Sequence, residues 1–244
     1  MKILKFATLF MIGLMATAFG YKPLNKPLQK NAQLIGAWEY KGADGTMGMW
    51  IITEKHFSVT FYSANEFQYT EGGTWSTTSK DKMGFTWEYH TRNASLVGET
   101  KEHDVALKGK KLTMAGTEWT RIDNGSPGAL AGAWLITGRY VDGEMSERTP
   151  GVRRTMKILS GTKFQWIAYN VETKEFFGTG GGSYTTNDGK YTENIEFFSR
   201  DNSRVGASLQ FDFKIENGKW RHSGKSSKGD PLDEVWTKRD VLGI

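Results

Sequence analysis

The sequence predicts an all-β protein: two tandem eight-stranded antiparallel up-and-down barrels after a signal peptide. Three observations carry this reading. Most of the chain is an internal repeat, each copy divides into about eight short segments of alternating polarity, and the divisions are tight-turn sequences. A length of 244 residues suits two small domains. Aromatic residues at 13% and only 5 Pro exclude disordered, collagen-like and low-complexity chains. Without cysteine there is no disulfide framework, thiolate metal site, cysteine nucleophile or lipoprotein cysteine, so each fold must rest on its core.

Residues 1–20 read as a secretory signal peptide. Lys2 and Lys5 give a positive start, Phe6 to Phe19 is an apolar run, and Ala16-Thr17-Ala18 places small residues at the spacing a signal peptidase reads, with a second option after Gly20. The run is short for a membrane span. No transmembrane segment is expected after cleavage, and the localisation implied is secreted or periplasmic. Removing these residues takes two lysines and no acids, so the formal charge of +5 falls to +3. The remaining basic residues are interspersed with acidic ones, which argues against nucleic acid or an anionic membrane as a partner.

The repeat is visible at both ends of each copy. Leu34-Ile35-Gly36-Ala37-Trp38 returns as Leu130-Ala131-Gly132-Ala133-Trp134, and Trp119-Thr120-Arg121-Ile122-Asp123 returns as Trp236-Thr237-Lys238-Arg239-Asp240. Residues 66–77 laid on 175–186 agree at six of twelve positions without a gap. The copies span about 33–123 and 130–240, joined by Asn124-Gly125-Ser126-Pro127-Gly128, which has turn chemistry and reads as a linker. The spacing between equivalent residues grows from 96 at Trp38 and Trp134 to 107 at Met49 and Met156, and reaches 117 at Trp119 and Trp236. Copy two therefore carries two insertions, near 142–153 and 225–232, both expected to be loops.

The strands of copy two are expected over 131–141, 153–160, 163–170, 175–187, 190–199, 206–216, 219–227 and 232–240. Asn187-Asp188-Gly189 and Glu216-Asn217-Gly218 can supply the positive φ that a tight hairpin needs, and Ser160-Gly161-Thr162 is another short turn. Short hairpins make neighbouring strands antiparallel, and closing the sheet removes its exposed edges. A β-sandwich would want longer crossovers. Gly180-Gly181-Gly182 is not a phosphate loop, because strand and not helix follows it; with Gly72-Gly73 at the same place in copy one, a strand bulge accounts for both.

A Gly-x-Trp motif on the first strand, with a basic residue near the end of the last strand to lie across that Trp, resembles the lipocalin and calycin superfamily. The pairs here are Gly36 and Trp38 with Arg121, and Gly132 and Trp134 with Lys238 or Arg239. The stretch from Met156 to Arg200 is similar to lipocalin-like domains of uncharacterised secreted Bacteroidetes proteins. The resemblance implies up-and-down barrels and a tandem lipocalin-like protein, and carries no established activity. Each copy is shorter than a typical lipocalin and has no long C-terminal helix, so no lipophilic cargo follows from it.

An eight-stranded barrel is either filled by its own side chains or holds one small ligand. Alternation places Trp38, Met49, Ile51, Phe57, Val59, Phe61, Phe67, Trp75, Phe85, Trp87 and Tyr89 inside copy one, with Val105, Leu107, Leu112 and Met114: a filled, structural barrel. In copy two it places Trp134, Met156, Ile158, Phe164, Trp166, Ala168, Phe176, Tyr184, Ile195 and Phe197 inside, followed by Leu209, Phe211, Phe213 and Trp220. Three residues differ in kind. Glu193 stands where copy one has Phe85, His222 where it has Met114, and Arg154 falls on the face of Met156 and Ile158. Buried charges must be paired or used. The candidate ligand site is therefore Arg154, Glu193 and His222 beside an apolar wall of Trp166, Tyr184, Phe211 and Trp220. An anionic or hydroxylated ligand would suit Arg154 and His222.

The function expected is an exported, non-enzymatic protein that binds a small apolar or mixed-polarity ligand in its second barrel. Two alternatives stand beside it: a cell-envelope interaction protein with filled barrels, and an isomerase or lyase using Glu193 and His222 as acid and base. The four His show no paired ligand spacing, so no metal or cofactor is expected.

Overall fold

The computed structural model describes residues 31–64 and 66–244; the signal peptide expected over 1–20 lies outside them. Strands β1 (Gly36–Lys41), β2 (Met47–Ile52), β3 (His56–Ser63) and β4 (Glu66–Ser79) run on through β5 (Lys82–His90), β6 (Thr100–Lys108), β7 (Lys111–Met114) and β8 (Thr117–Asp123). Each pairs with the next, and β8 returns to β1, with Trp38 opposite Arg121, to close the barrel.

The second barrel repeats the plan. Its strands are β9 (Gly132–Val141), β11 (Arg153–Leu159), β12 (Lys163–Asn170), β13 (Phe176–Asn187), β14 (Lys190–Phe198), β15 (Ser208–Glu216), β16 (Lys219–Lys225) and β17 (Pro231–Lys238), closed by β9 on β17. A further short strand, β10 (Glu144–Glu147), extends β9 as a hairpin, so the insertion expected as a loop is partly strand. A one-turn helix α1 (Arg239–Leu242) follows β17. The tight hairpins form as their sequences require: Asp188 and Gly189 take φ of 49° and 73°, and Asn217 and Gly218 take 51° and 75°. Among the described residues, no helix is long and apolar enough to cross a membrane.

The basic residue across each first-strand Trp is present. The Arg121 guanidinium lies 4.0 Å from the Trp38 ring centre, and the Lys238 ammonium 5.2 Å from that of Trp134. Arg239, the alternative to Lys238, points elsewhere. Its side chain is 1% exposed and bonds Glu88 of the first barrel at 2.6 and 2.9 Å.

That contact belongs to an interface between the barrels. Met49, Ile51, Tyr62 and Tyr89 of the first barrel form one buried cluster with Met156, Ile158, Ile167, Tyr169 and Phe197 of the second. The arrangement has approximate two-fold character, because equivalent residues meet across it. Tyr62 donates to Glu196 at 2.9 Å, and Tyr169 donates to Glu88 at 2.5 Å. Phe67 stacks on its counterpart Phe176, with ring centres 6.1 Å apart and planes 11° from parallel. The segment expected as a linker is tied in as well. The carboxylate of Asp123 just before it accepts from Gly125, Gly161, Thr162 and Ser160, fastening the end of the first barrel to the β11–β12 turn of the second.

This interface overturns part of the inside–outside assignment. Met49, Ile51, Phe67 and Tyr89 do not fill the first barrel, nor Met156, Ile158, Phe176 and Phe197 the second; all lie between the barrels. The inward residues of β2 are Trp50 and Ile52. The physical reason is that β2 and β11 are covered on both faces, one by their own barrel and one by the neighbour, so hydrophobicity no longer marks the inside. Bulges account for Tyr89 and Phe197. Register shifts between Gly72 and Gly73 and between Gly181 and Gly182 leave Glu88 and Glu196 as extra residues, and beyond each the alternation inverts. Glycine is required there: a Cβ on Gly73 would stand 2.0 Å from the Thr86 carbonyl oxygen, and one on Gly182 2.1 Å from that of Asn194.

Candidate ligand pocket in the second barrel

The first barrel is filled by Trp38, Trp50, Phe57, Phe85, Leu112 and Trp119, as its apolar sequence implies. In the second, strand pairing aligns Lys157 with Trp50, Trp166 with Val59, and Glu234 with Thr117. Glu193 and His222 occupy the places of Phe85 and Met114. Four polar side chains thus replace two large aromatics, a methionine and a threonine. A pocket of about 170 Å³ opens beside them. Its polar wall is Lys157, Glu193, His222 and Glu234, and its apolar wall is Trp166, Phe198, Phe211 and Trp236.

Each polar group is set by its strand. Lys157 lies between Met156 and Ile158, whose side chains occupy the interface, so alternation turns the ammonium into the barrel. It bonds Glu193 Oε1 at 2.6 Å, and both side chains are about 5% exposed. The Tyr191 hydroxyl donates to the same oxygen at 2.8 Å. Four rings enclose the ammonium: Tyr191, Trp220, Trp236 and Phe211, with centres 5.0 to 5.7 Å away. Salt-bridge partner and ring faces together compensate for its lost water.

Glu234, opposite His222 on the adjacent strand, receives Arg139 at 3.0 Å from the solvent side. Burial works to raise the Glu234 pKa, but the neighbouring His222, Lys157 and Arg139 outweigh it and hold the carboxyl below its ordinary value. The His222 ring is 2% exposed and rests against Phe211 with ring centres 4.2 Å apart. Nδ1 stands 3.9 Å from Glu234 Oε2, too far for a hydrogen bond. Both ring nitrogens are buried without a partner, as is the Trp236 indole N–H. Burial, aided by the charge of Lys157, lowers the His222 pKa to about 4, so the ring is neutral at pH 7 and offers one donor and one acceptor.

The structure brings Glu193, His222, Trp166 and Phe211 of the expected set to this pocket. It removes the other three. Arg154 shares a face with Met156 and Ile158, but that face is the outer one, and it pairs with Glu88 at 3.0 Å. Tyr184 packs in the core with its hydroxyl on the Ser160 carbonyl at 2.7 Å, and Trp220 is wholly buried between Trp134, Tyr191 and Trp236. With Arg154 absent, the cation on the lining is Lys157, already paired with Glu193. Sequence reasoning missed Lys157 and Glu234. The signal for Lys157 was its place amid Thr155-Met156-Lys157-Ile158-Leu159, where one face must be Lys157 with Leu159; Glu234 was legible as the pairing partner of His222.

The second insertion, over 225–232, supplies the mouth of the pocket. A turn closed by Ser226 N to Asp230 O at 2.8 Å carries Ser226, Ser227 and Leu232 onto the lining, where the first barrel has only the short turn between β7 and β8. The extra loop and the polar interior thus occur in the same barrel. Comparison of the chain with family models and with curated proteins gave no match to either.

Proposed function

We propose that this chain is an exported small-molecule-binding protein whose ligand enters the second barrel, the first serving as its structural partner. The observation that carries the reading is His222: a neutral imidazole with both nitrogens unsatisfied, on the wall of a pocket of about 170 Å³. Leaving a buried polar group unpaired costs about 1–3 kcal/mol, and a ligand that pairs it recovers that cost on binding. The pocket combines an apolar wall with a few convergent polar groups, the usual make-up of a small-molecule site. Its size suits a molecule of about one ring, since an engineered cavity of about 150 Å³ holds benzene. The charged start, apolar run and small residues of 1–20 support export, and the Gly-x-Trp resemblance supports a lipocalin-like ancestry.

The enzyme reading has less support. Glu193 Oε1 is already held by Lys157 and Tyr191, which leaves it a fixed counter-ion and not a free base. The test is thermal unfolding of the purified protein against a panel of small acids, amines, alcohols and sugars, with His222→Phe alongside wild type. A compound that raises the wild-type midpoint and leaves His222→Phe unmoved supports this pocket. A panel without effect, or a hit that ignores the substitution, sinks it.

A further inference from the structure

We infer that the ligand of the second barrel is a neutral single-ring molecule bearing a hydroxyl group, and that charged analogues of the same shape are excluded. This rests on the pocket being a binding site, and deepens that reading. Most polar groups on the lining already have partners. Lys157 is bound to Glu193 at 2.6 Å and enclosed by four rings; Glu234 is bound to Arg139 at 3.0 Å. The three charged side chains on the lining, Lys157, Glu193 and Glu234, thus all have partners of opposite sign. A ligand ammonium or carboxylate would bring a further charge into a site whose charges are already paired, and would leave its own hydration behind. Arg154, the cation expected to answer a carboxylate, lies on the outer face with Glu88.

The unspent groups are of another kind. His222 presents a ring N–H and a ring nitrogen lone pair, and Trp236 presents an indole N–H; all are buried and unpartnered on the lining. A hydroxyl both donates and accepts, so it can meet the lone pair of one imidazole nitrogen and accept from a neighbouring N–H. The 3.9 Å between His222 Nδ1 and Glu234 Oε2 leaves that nitrogen without a hydrogen bond to the carboxylate. The remaining lining, Trp166, Phe198, Phe211 and Leu232, is apolar and suits a ring.

The experiment uses four probes of nearly one shape: benzyl alcohol, benzylamine, benzoate and toluene, titrated at pH 7 into the full-length purified protein by calorimetry and intrinsic tryptophan fluorescence. Benzyl alcohol is expected to bind at least about tenfold tighter than the other three, a difference of about 1.4 kcal/mol. His222→Phe and Trp236→Phe should each reduce the ratio of alcohol to toluene affinity severalfold, with the near-ultraviolet circular dichroism of each variant checked against wild type to separate lost hydrogen bonds from a lost fold; a ratio unchanged in both overturns the inference. Benzylamine or benzoate equal to or tighter than the alcohol overturns the neutral-ligand inference and leaves the pocket reading standing, as does toluene equal to the alcohol. If none of the four binds wild type, the pocket reading and this inference fall together.

Discussion

Ser58 donates a hydrogen bond to Gln165, the residue 107 positions on that holds its own place in the other barrel. Equivalent residues that meet lie on a local two-fold axis, and the Phe67–Phe176 stack lies on it too. The two copies differ at this point, and the difference is used. The Gln165 amide reaches Thr70 and Thr179, each at 2.9 Å, while Ser58 also accepts from Tyr89 at 2.6 Å.

Replacing Gln165 with Leu should therefore strip partners from Ser58, Thr70 and Thr179 in a site without water access. A loss of about 1–2 kcal/mol is expected, since Ser58 keeps Tyr89, Thr70 keeps Thr60 and the Val59 carbonyl, and Thr179 keeps the Trp166 carbonyl. Guanidinium denaturation followed by tryptophan fluorescence measures it. Unchanged stability would mean that the amide adds nothing to the packing of the barrels.

Glu88 gives the interface an acid limit. Burial alone would raise its pKa, but Arg239, Tyr169 and Arg154 hold it at about 2 against an ordinary 4.5. For a carboxylate so depressed, the stabilisation is complete above pH 4.5 and is lost as pH falls towards 2. The shift corresponds to roughly 3 kcal/mol. Glu88→Gln should flatten the stability profile between pH 4.5 and 2, and Glu88→Ala, which leaves Arg239 buried without its carboxylate, should cost about 3–5 kcal/mol at neutral pH. A wild-type slope that survives in Glu88→Gln assigns the acid sensitivity elsewhere.

Lys157 and Glu193 are expected to behave as a unit. Glu193→Phe installs the residue of the first barrel but leaves an ammonium inside the second, at a cost of about 3–5 kcal/mol. The double variant Lys157→Met with Glu193→Leu removes both charges and should recover most of the loss. A double-mutant cycle in chemical denaturation reads the coupling; additive losses would show that the two side chains act separately.

His222 titrates in the opposite part of the scale from an exposed histidine. Its pKa falls from 6.5 to about 4 because burial opposes the charged ring. The unfolded chain then binds the proton first, so stability is full above pH 6.5, declines as pH drops to about 4, and is level below that as far as this group is concerned. Roughly 3 kcal/mol is at stake. His56, also lowered to about 4 by burial, contributes over the same interval, so His222→Phe should remove about half of the decline. A profile identical to wild type would place His222 in contact with solvent.

The Gly-Ala-Trp repeat, the Asp188-Gly189 and Asn217-Gly218 turns and the alternation of the strands were enough to give two closed eight-stranded barrels and, within two residues, the strands of the second. Local chemistry does this, since a turn needs its positive φ and a half-buried strand its period of two. Glu193 and His222 were legible for the same reason: each broke the apolar pattern of its counterpart in the first copy. Which face of β2 and β11 is the inside was not legible, because Met49, Ile51, Met156 and Ile158 are apolar for a cause that lies outside their own barrel. Only the docking of the two barrels decides that those four side chains face the interface, that Arg154 belongs to Glu88, and that Lys157 is the residue turned inward. Period-two alternation reports that one face differs from the other; when both are buried, the choice between them is made by the neighbour across the sheet.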